Sequence, residues 1–503
     1  MYSILIKSFS LVLISLLLIQ CQHETKKSHD RIDVPNIIVI ISDDHGRELG
    51  SYGHPIIKTP NIDQLAAQGT LFTNAFATTA SCSASRSVIL TGLYNHRNAQ
   101  YGHTHDYHHF SSYSDIKSLP VLLGSAGYRT ACIGKKHVEP NSVYDFDVDI
   151  RGNERNGAKM AETSRKFIEE SGNQPFFLYF ATSDPHRGGG LMAGGSENNE
   201  VLGAINRFGN TDEGYEGIEE TVYDTTEITV PAWLPDNATT KLELSQYYQS
   251  VSRMDFGVGR LLAVLKETGN YDNSIIIYMS DHGPAFAGAK TTVYEPGLRT
   301  PLIVKMPGQT EPRVTEAMVH WPDITPTLLE IAGVEEPVYD QHIGAPSIRA
   351  KFDFPKNHGL HGRSFLSVLN GADESGFETV YASHTFHEIQ MYYPMRVVRD
   401  KKYKLIWNIA SGIPYPFSTD LWASGTWQRV YHQGPETPYG VRTVQQYIHR
   451  DEFELFDIEE DPLESKNLAN DPAFAEVLKQ YQEKLKEFQV RTSDPWVNKW
   501  IYH

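Results

Sequence analysis

Cysteine is nearly absent: Cys21, Cys82 and Cys132 are the only three among 503 residues. Three thiols cannot build a disulfide scaffold or a Cys-ligated zinc site, so stability must come from a packed core. Positive charge is also scarce, with 45 Lys and Arg against 62 Asp and Glu and a net charge of −17. A field of that sign repels polyanions, which excludes nucleic acid as a partner held through bulk charge. Any anionic ligand must instead be met by a few local cations or a metal. Beyond residue 20 no apolar run is long enough to span a bilayer, and there is no internal repeat or low-complexity tract. What remains is a folding composition, 40% hydrophobic and 21% charged, long enough for a large α/β domain with a smaller one attached.

Residues 1–20 carry one charge, Lys7, ahead of the apolar run Ser8–Ile19. This is the make-up of a signal peptide. Leu18-Ile19-Gln20-Cys21 resembles a bacterial lipoprotein cleavage box, with Cys21 as the acylated residue. The expectation is an exported lipoprotein of the cell envelope, held to a membrane by a lipid anchor.

Asn36-Ile-Ile-Val-Ile-Ile41 is a β-branched run of the kind buried on both faces of a parallel sheet. Phe176–Phe180, Ser274–Met279 and Pro301–Lys305 repeat it. Helical patterns lie between, at Asn61–Gln68, Ser118–Ala126, Met160–Glu170, Leu242–Glu267 and Ile324–Ile331. Alternating strands and helices predict a large doubly wound α/β domain over residues 31–370, a mixed sheet flanked by helices. Residues 187–230 read as a long surface excursion. After about residue 370 shorter strands (379–382, 395–398, 403–407, 454–457) and a charged helix near Phe474–Phe488 predict an antiparallel sheet with one helix, residues 371–503.

Ligands of such sheets sit beyond the carboxyl ends of the strands. There the chain places Asp43-Asp44-His45 after one buried strand and Asp281-His282 after another. Either cluster alone suits a turn or helix cap; two at equivalent strand ends suit one hard cation such as Ca²⁺ or Mg²⁺. Cys82-Ser-Ala-Ser-Arg86 sets a cation one helical turn from a cysteine lying among polar residues.

Cys82-Ser-Ala-Ser-Arg86 followed by Leu90-Thr-Gly92 resembles the activation motif of the type I sulfatases, in the alkaline phosphatase superfamily. Further blocks resemble that family in the expected order from about residue 35 to 495: Thr59–Asp63, Gly69–Ala75, Gly134-Lys-Lys-His137, Ser183-Asp-Pro-His186, Lys290 with Tyr294–Pro301, and Glu454–Asp457 with Asp461-Pro462 and Asn467–Ala469. The resemblance implies that a maturing enzyme converts Cys82 to formylglycine, whose hydrate is the nucleophile. Ala84 stands where proline is commoner in the motif. It further implies one Ca²⁺ held by Asp43, Asp44, Asp281, His282 and residue 82, with Arg86 beside the nucleophile. By the same resemblance Lys135 and Lys290 bind the sulfate, His186 protonates the leaving group, and His137 takes the proton that expels sulfate.

Within the family, Gly134–Val138, Tyr101–His103 with Asp106–Phe110, Tyr393–Arg396 and Asp494–Val497 resemble the sulfamidases, which cleave N-sulfate from heparan-type glucosamine. His282 and Lys290 depart from that subgroup, which carries Asn and Arg there, and resemble the O-sulfatases. On that ground the sequence reading favours an O-sulfated carbohydrate, such as an oligosaccharide of algal ulvan, with the sulfamidase as alternative. His384 and His387, with Glu388, follow a C-terminal strand and are candidates for sugar contacts. The histidines at 96, 103, 105, 108 and 109 contain no helical ligand pair and read as substrate-facing or structural rather than as a second metal site. A phosphatase of the same superfamily would carry Ser or Thr at position 82. A non-catalytic glycan-binding lipoprotein would have lost at least one of Asp43, Cys82, Arg86, Lys135, His186 or Asp281, and all six are present.

Overall fold

Asn36–Ser42 offers water no polar face, and all seven residues are buried in strand β1 at the centre of an eight-stranded sheet. This computed structural model describes residues 34–188, 208–340 and 351–502, so the leader and Cys21 lie outside the described residues. The other strands are β2 (Thr70–Phe76), β3 (Arg129–Gly134), β4 (Val148–Ile150), β5 (Phe176–Ala181), β6 (Ser274–Ser280), β7 (Leu302–Lys305) and β8 (Arg313–His320). Their order across the sheet is β4-β3-β5-β1-β6-β7-β2-β8. Five neighbouring strands, β4 to β6, are parallel, as buried apolar runs separated by helices require.

β7 makes the sheet mixed, as expected, because it runs antiparallel to both β6 and β2. The connection 281–301 contains only the single helical turn Glu295–Leu298. With no crossover helix to return the chain to the opposite edge, the strand descends directly beside β6. β3 and β8 were not foreseen: β3 is short and carries small residues, and the first half of β8 is exposed.

The helices are α1 (Pro60–Ala66), α2 (Cys82–Thr91), α3 (Leu119–Ser125), α4 (Gly157–Ser171), α5 (Ala238–Glu267) and α6 (Ile324–Ala332). α5 starts where the Asn237 side chain accepts from the backbone N–H groups of Thr239 and Thr240. It packs on α4 through Gly157 and Gly257, where a Cβ on either glycine would come within 2.6 Å of the other's Cα. Residues 208–230, within the expected excursion, contain no helix or strand.

The second sheet is antiparallel, in the order β9 (Thr379–His384), β10 (Met395–Asp400), β11 (Tyr403–Asn408), β12 (Phe453–Asp457). α7 (Ala475–Arg491) lays Leu485 and Phe488 on Val398, Leu405, Trp407 and Leu455, and Tyr94 joins this core from just beyond α2. Residues 35–503 form one compact unit. No helix among the described residues is long and apolar enough to cross a membrane.

Arg396 on β10 clamps Asp494 in the C-terminal tail with two hydrogen bonds, both side chains fully buried. Burial opposes ionisation of Asp494, but Arg396 and then His96 outweigh it and hold the carboxyl at about 2. Asp494→Asn leaves a buried guanidinium unpaired and is expected to cost about 3–5 kcal/mol at pH 7, read as a lower denaturant midpoint. The folded-state pKa lies below the unfolded value of about 3.9, so this contribution is complete above pH ~4 and is lost as pH falls towards 2.

Candidate active site

The register of the parallel strands assembles the site. Ser42 pairs with Ser280 across β1 and β6, so Asp43 and Asp281 emerge side by side on strands about 4.8 Å apart. Ala181 pairs with Ile41 on one side and Gly134 on the other, which brings Lys135 and Asp184 to the same edge. Position 134 tolerates only glycine: its φ is +99°, and a Cβ would sit 2.1 Å from the Ala181 carbonyl oxygen. Asp44 takes a left-handed φ of 62°, its N–H donating to Asp281 Oδ1 at 3.0 Å. That turn returns the second carboxylate to the first.

α2 delivers Cys82 and Arg86 to the same edge. Every residue of this helix is buried, including Cys82 and Arg86. Arg86 Nε donates to Asp281 Oδ2 and Nη2 to Asp43 Oδ1, each at 3.0 Å, and Nη1 to the Lys135 carbonyl at 2.7 Å. Ser85 Oγ and Trp321 Nε1 both donate to the Asp281 carbonyl, which anchors the helix start over β6. Cys82 Sγ lies 3.3 Å from His282 Nε2 and 3.5 Å from Asp44 Oδ1. His282 Nε2 is 3.1 Å from the same Asp44 oxygen.

Asp43, Asp44 and Asp281, all fully buried, offer carboxylate oxygens within 4.8 Å of one another. Three anions that close, out of water, need compensating charge. Burial would raise Asp43, but Lys135, His186 and Arg86 hold it well below the usual carboxylate range. Asp281 is pushed up to about 6 by burial, because Arg86 and His282 only partly offset burial and the repulsion of Asp43 and Asp44. Lys290 Nζ donates to Asp44 Oδ2 at 2.8 Å and to Asp420 Oδ2 at 2.9 Å. Burial, reinforced by Asp44 and Asp43, lifts the Cys82 thiol well above its ordinary value. An unmodified thiol held protonated in this way is a poor nucleophile.

Over the cluster opens a cavity of about 470 Å³ lined by Lys135, His137, His186, Lys290, His387 and Asp420, among others. A neighbouring opening of about 840 Å³ shares Lys135 and His186 with it. His186 Nε2 lies 3.7 Å from Asp44 Oδ2 with its side chain 24% exposed. Burial, then Lys290 and Lys135, hold His186 well below the usual imidazole range. His137 is lowered in the same direction, by burial and then by Lys135 and His103.

Of the sequence-derived residues, Asp43, Asp44, Cys82, Arg86, Lys135, His137, His186, Asp281, His282, Lys290 and His387 are thus gathered around one cluster and the cavity above it. His384 is not. It closes β9 opposite Met395, is 1% exposed, and its Nδ1 is 2.8 Å from Thr79 Oγ1. The tempting position after a strand fails for His384 because its strand docks on residues 78–79, where the Thr78 carbonyl accepts from the Ser383 N–H. Asp420 was missed, since a lone acid in Ser418-Thr-Asp420 carries no local signal. Glu388 lines the cavity and accepts from Thr419 N–H and Oγ1 at 3.0 Å, which ties the loop after β9 to that of Asp420.

A family model described as Sulfatase matches residues 35–334, and one described as N-sulphoglucosamine sulphohydrolase, C-terminal, matches residues 286–412. The chain is 36% identical over 478 residues to N-sulphoglucosamine sulphohydrolase of Homo sapiens, covering 92% of this chain and 91% of that one. It is 28% identical over 466 residues to an ulvan-active sulfatase of Formosa agariphila, covering 90% and 79%. A solved structure in complex with its substrate D-glucosamine-2-N,6-O-disulfate superposes with a TM-score of 0.61 at 22% identity, covering 92% of this chain and 98% of that one. With the strand-end carboxylates, the buried Cys82–Arg86 turn and the basic cavity in place, the chain belongs to the sulfatase family and is a hydrolase that releases sulfate.

Proposed function

We propose that this protein is a formylglycine-dependent sulfamidase that removes N-sulfate from glucosamine residues of heparan-type saccharides. The observation that carries this reading is the 36% identity to the human N-sulphoglucosamine sulphohydrolase, sustained over 92% of the chain. It replaces the O-sulfate preference drawn from His282 and Lys290. Both side chains are buried against Asp44, at the sulfate end of the site, where N- and O-sulfates present the same group. They therefore do not report on the leaving atom.

Sulfatases use a formylglycine and a divalent metal, and the residues here fit both. The carboxylates of Asp43, Asp44 and Asp281 make an oxygen donor set suited to a hard cation, and Asp281, pushed up to about 6, is short of positive charge. Calcium held there, with His282 and residue 82 beside it, would supply Lewis-acid polarisation of bound oxygens. Conversion of Cys82 by a maturing enzyme would replace an inert thiol with an aldehyde, whose hydrate would supply the nucleophile.

Arg86, locked between Asp43 and Asp281, keeps a fixed positive charge one turn from residue 82, which favours its ionised hydroxyl. Lys135 Nζ donates to Asp43 and Lys290 Nζ to two carboxylates, so each ammonium retains at least one proton for a sulfate oxygen. His186 is kept neutral by burial and, next, by those lysines. An arriving sulfate offsets their charge and raises its proton affinity, so that it can deliver a proton to the departing nitrogen. His137, also held neutral, is the base placed to accept a proton from a hydroxyl at residue 82.

Matured enzyme is expected to release sulfate, read by ion chromatography, from N-sulfoglucosamine and not from sulfated rhamnose–uronic acid oligosaccharides, with Cys82→Ala silent. Release only from the second substrate would reinstate the O-sulfatase reading; silence on both in aldehyde-bearing protein would favour a non-catalytic glycan binder. His186→Gln is expected to lower kcat on the sugar about 10²–10⁴-fold, and far less on an aryl sulfate whose leaving group needs no proton. In protein made without the maturing enzyme, native Cys82 is expected to resist iodoacetamide at pH 7.5 and to react only after unfolding.

A further inference from the structure

Three separate segments bring four imidazoles to one wall of the cavity: His103 and His105 from the loop after α2, His137 after β3, and His387 after β9. His105 Nδ1 lies 2.7 Å from His137 Nε2, and His103 Nε2 lies 2.9 Å from His387 Nε2. Donor nitrogens of His103, His105 and His137 all lie within 4.8 Å of one another. His137 Nδ1 is buried without a hydrogen-bond partner. Each nitrogen–nitrogen contact needs one protonated and one bare nitrogen, so lone pairs already converge here. Burial first, and neighbouring histidines and lysines next, keep His103, His137 and His387 well below the usual imidazole range. Neutral imidazole is the form that ligates metal.

We propose that His103, His105 and His137, with His387 in contact as a fourth nitrogen, form a second metal site for a borderline-soft divalent ion such as Zn²⁺ or Cu²⁺. Its all-nitrogen donor set separates it chemically from the carboxylate site, which suits a hard ion. Tetrahedral zinc with Zn–N near 2.0–2.1 Å spaces its nitrogens roughly 3.3 Å apart, so the two contacting pairs need open by only roughly half an ångström. The spacing of the histidine-rich stretch hid this site, because His137 and His387 come from elsewhere in the chain. Two other members of that stretch are engaged: His96 with Ser383 and Thr492, and His108 Nδ1 with the Ile389 N–H. An ion at this wall occupies His137 and narrows the approach to Lys135 and His186, so it inhibits turnover; this consequence alone rests on the sulfatase mechanism above.

The test is calorimetric titration of the full-length, calcium-loaded protein with Zn²⁺, together with Co²⁺ absorption spectra and metal analysis. One zinc per chain is expected in addition to retained calcium, with Co²⁺ giving the visible bands of nitrogen ligation. His105→Ala and, as a second variant, His103→Ala are each expected to weaken zinc binding at least about tenfold. Retained calcium content and an unchanged thermal transition identify the variants that have folded. Zinc affinity unchanged in both folded variants, or zinc that binds only by displacing calcium, would overturn the proposal. Because binding is read without substrate, it is decided separately from sulfatase activity. Where sulfate release is measurable, the zinc concentration that halves it is expected to rise by a similar factor in the variants.

Discussion

Everything at the carboxyl edge of the main sheet depends on keeping three carboxylates dry and close together. Asp43, Asp44 and Asp281 are fully buried, and Arg86, Lys135 and Lys290 are the cations that make this tolerable. Such an arrangement is a poor way to stabilise a fold, since desolvating several charges costs more than most ion pairs return. It is a good way to hold a site for a divalent ion and an anionic sulfate group. The surrounding features follow from that demand: the left-handed turn at Asp44, the glycine at 134 where a Cβ has no room, and a helix start whose polar residues are buried against the Asp281 carbonyl.

The second sheet completes the site as well as the fold. Docking of β9 on residues 78–79 and of α7 on Tyr94 fixes the loops that carry His387, Glu388 and Asp420 over the cluster. The sulfate end of the cavity is therefore built by strand ends of the first sheet, and much of the opposite wall by loops of the second. Asp420 joins the two, because it shares Lys290 with Asp44. The two ends of the site thus rest on different supports.

Much of this was legible in the chain. The buried strands announced themselves by unbroken β-branched runs, and the long helices by their periodicity; the acids after β1 and β6 stood out because two strand ends carried them. The family motifs then placed Arg86, Lys135, His137, His186 and Lys290. β3 and β8 escaped because one is short and the other half exposed. His384 was misplaced because position after a strand says nothing of which surface that strand docks on. Asp420 and the His103–His105–His137 group escaped because their partners lie far away in sequence.

By itself, then, the sequence determined the sheet class, the acids that close two buried strands and the Cys82–Arg86 turn that marks the family. Those are local properties: an apolar run, a carboxylate beside a strand, a cysteine one helical turn from an arginine. Only the tertiary structure decided the antiparallel descent of β7, the burial of His384, the bridge from Lys290 to Asp420 and the convergence of four histidines on one wall. Each depends on strand register and on how two sheets dock, and no spacing along the chain encodes a distance across it.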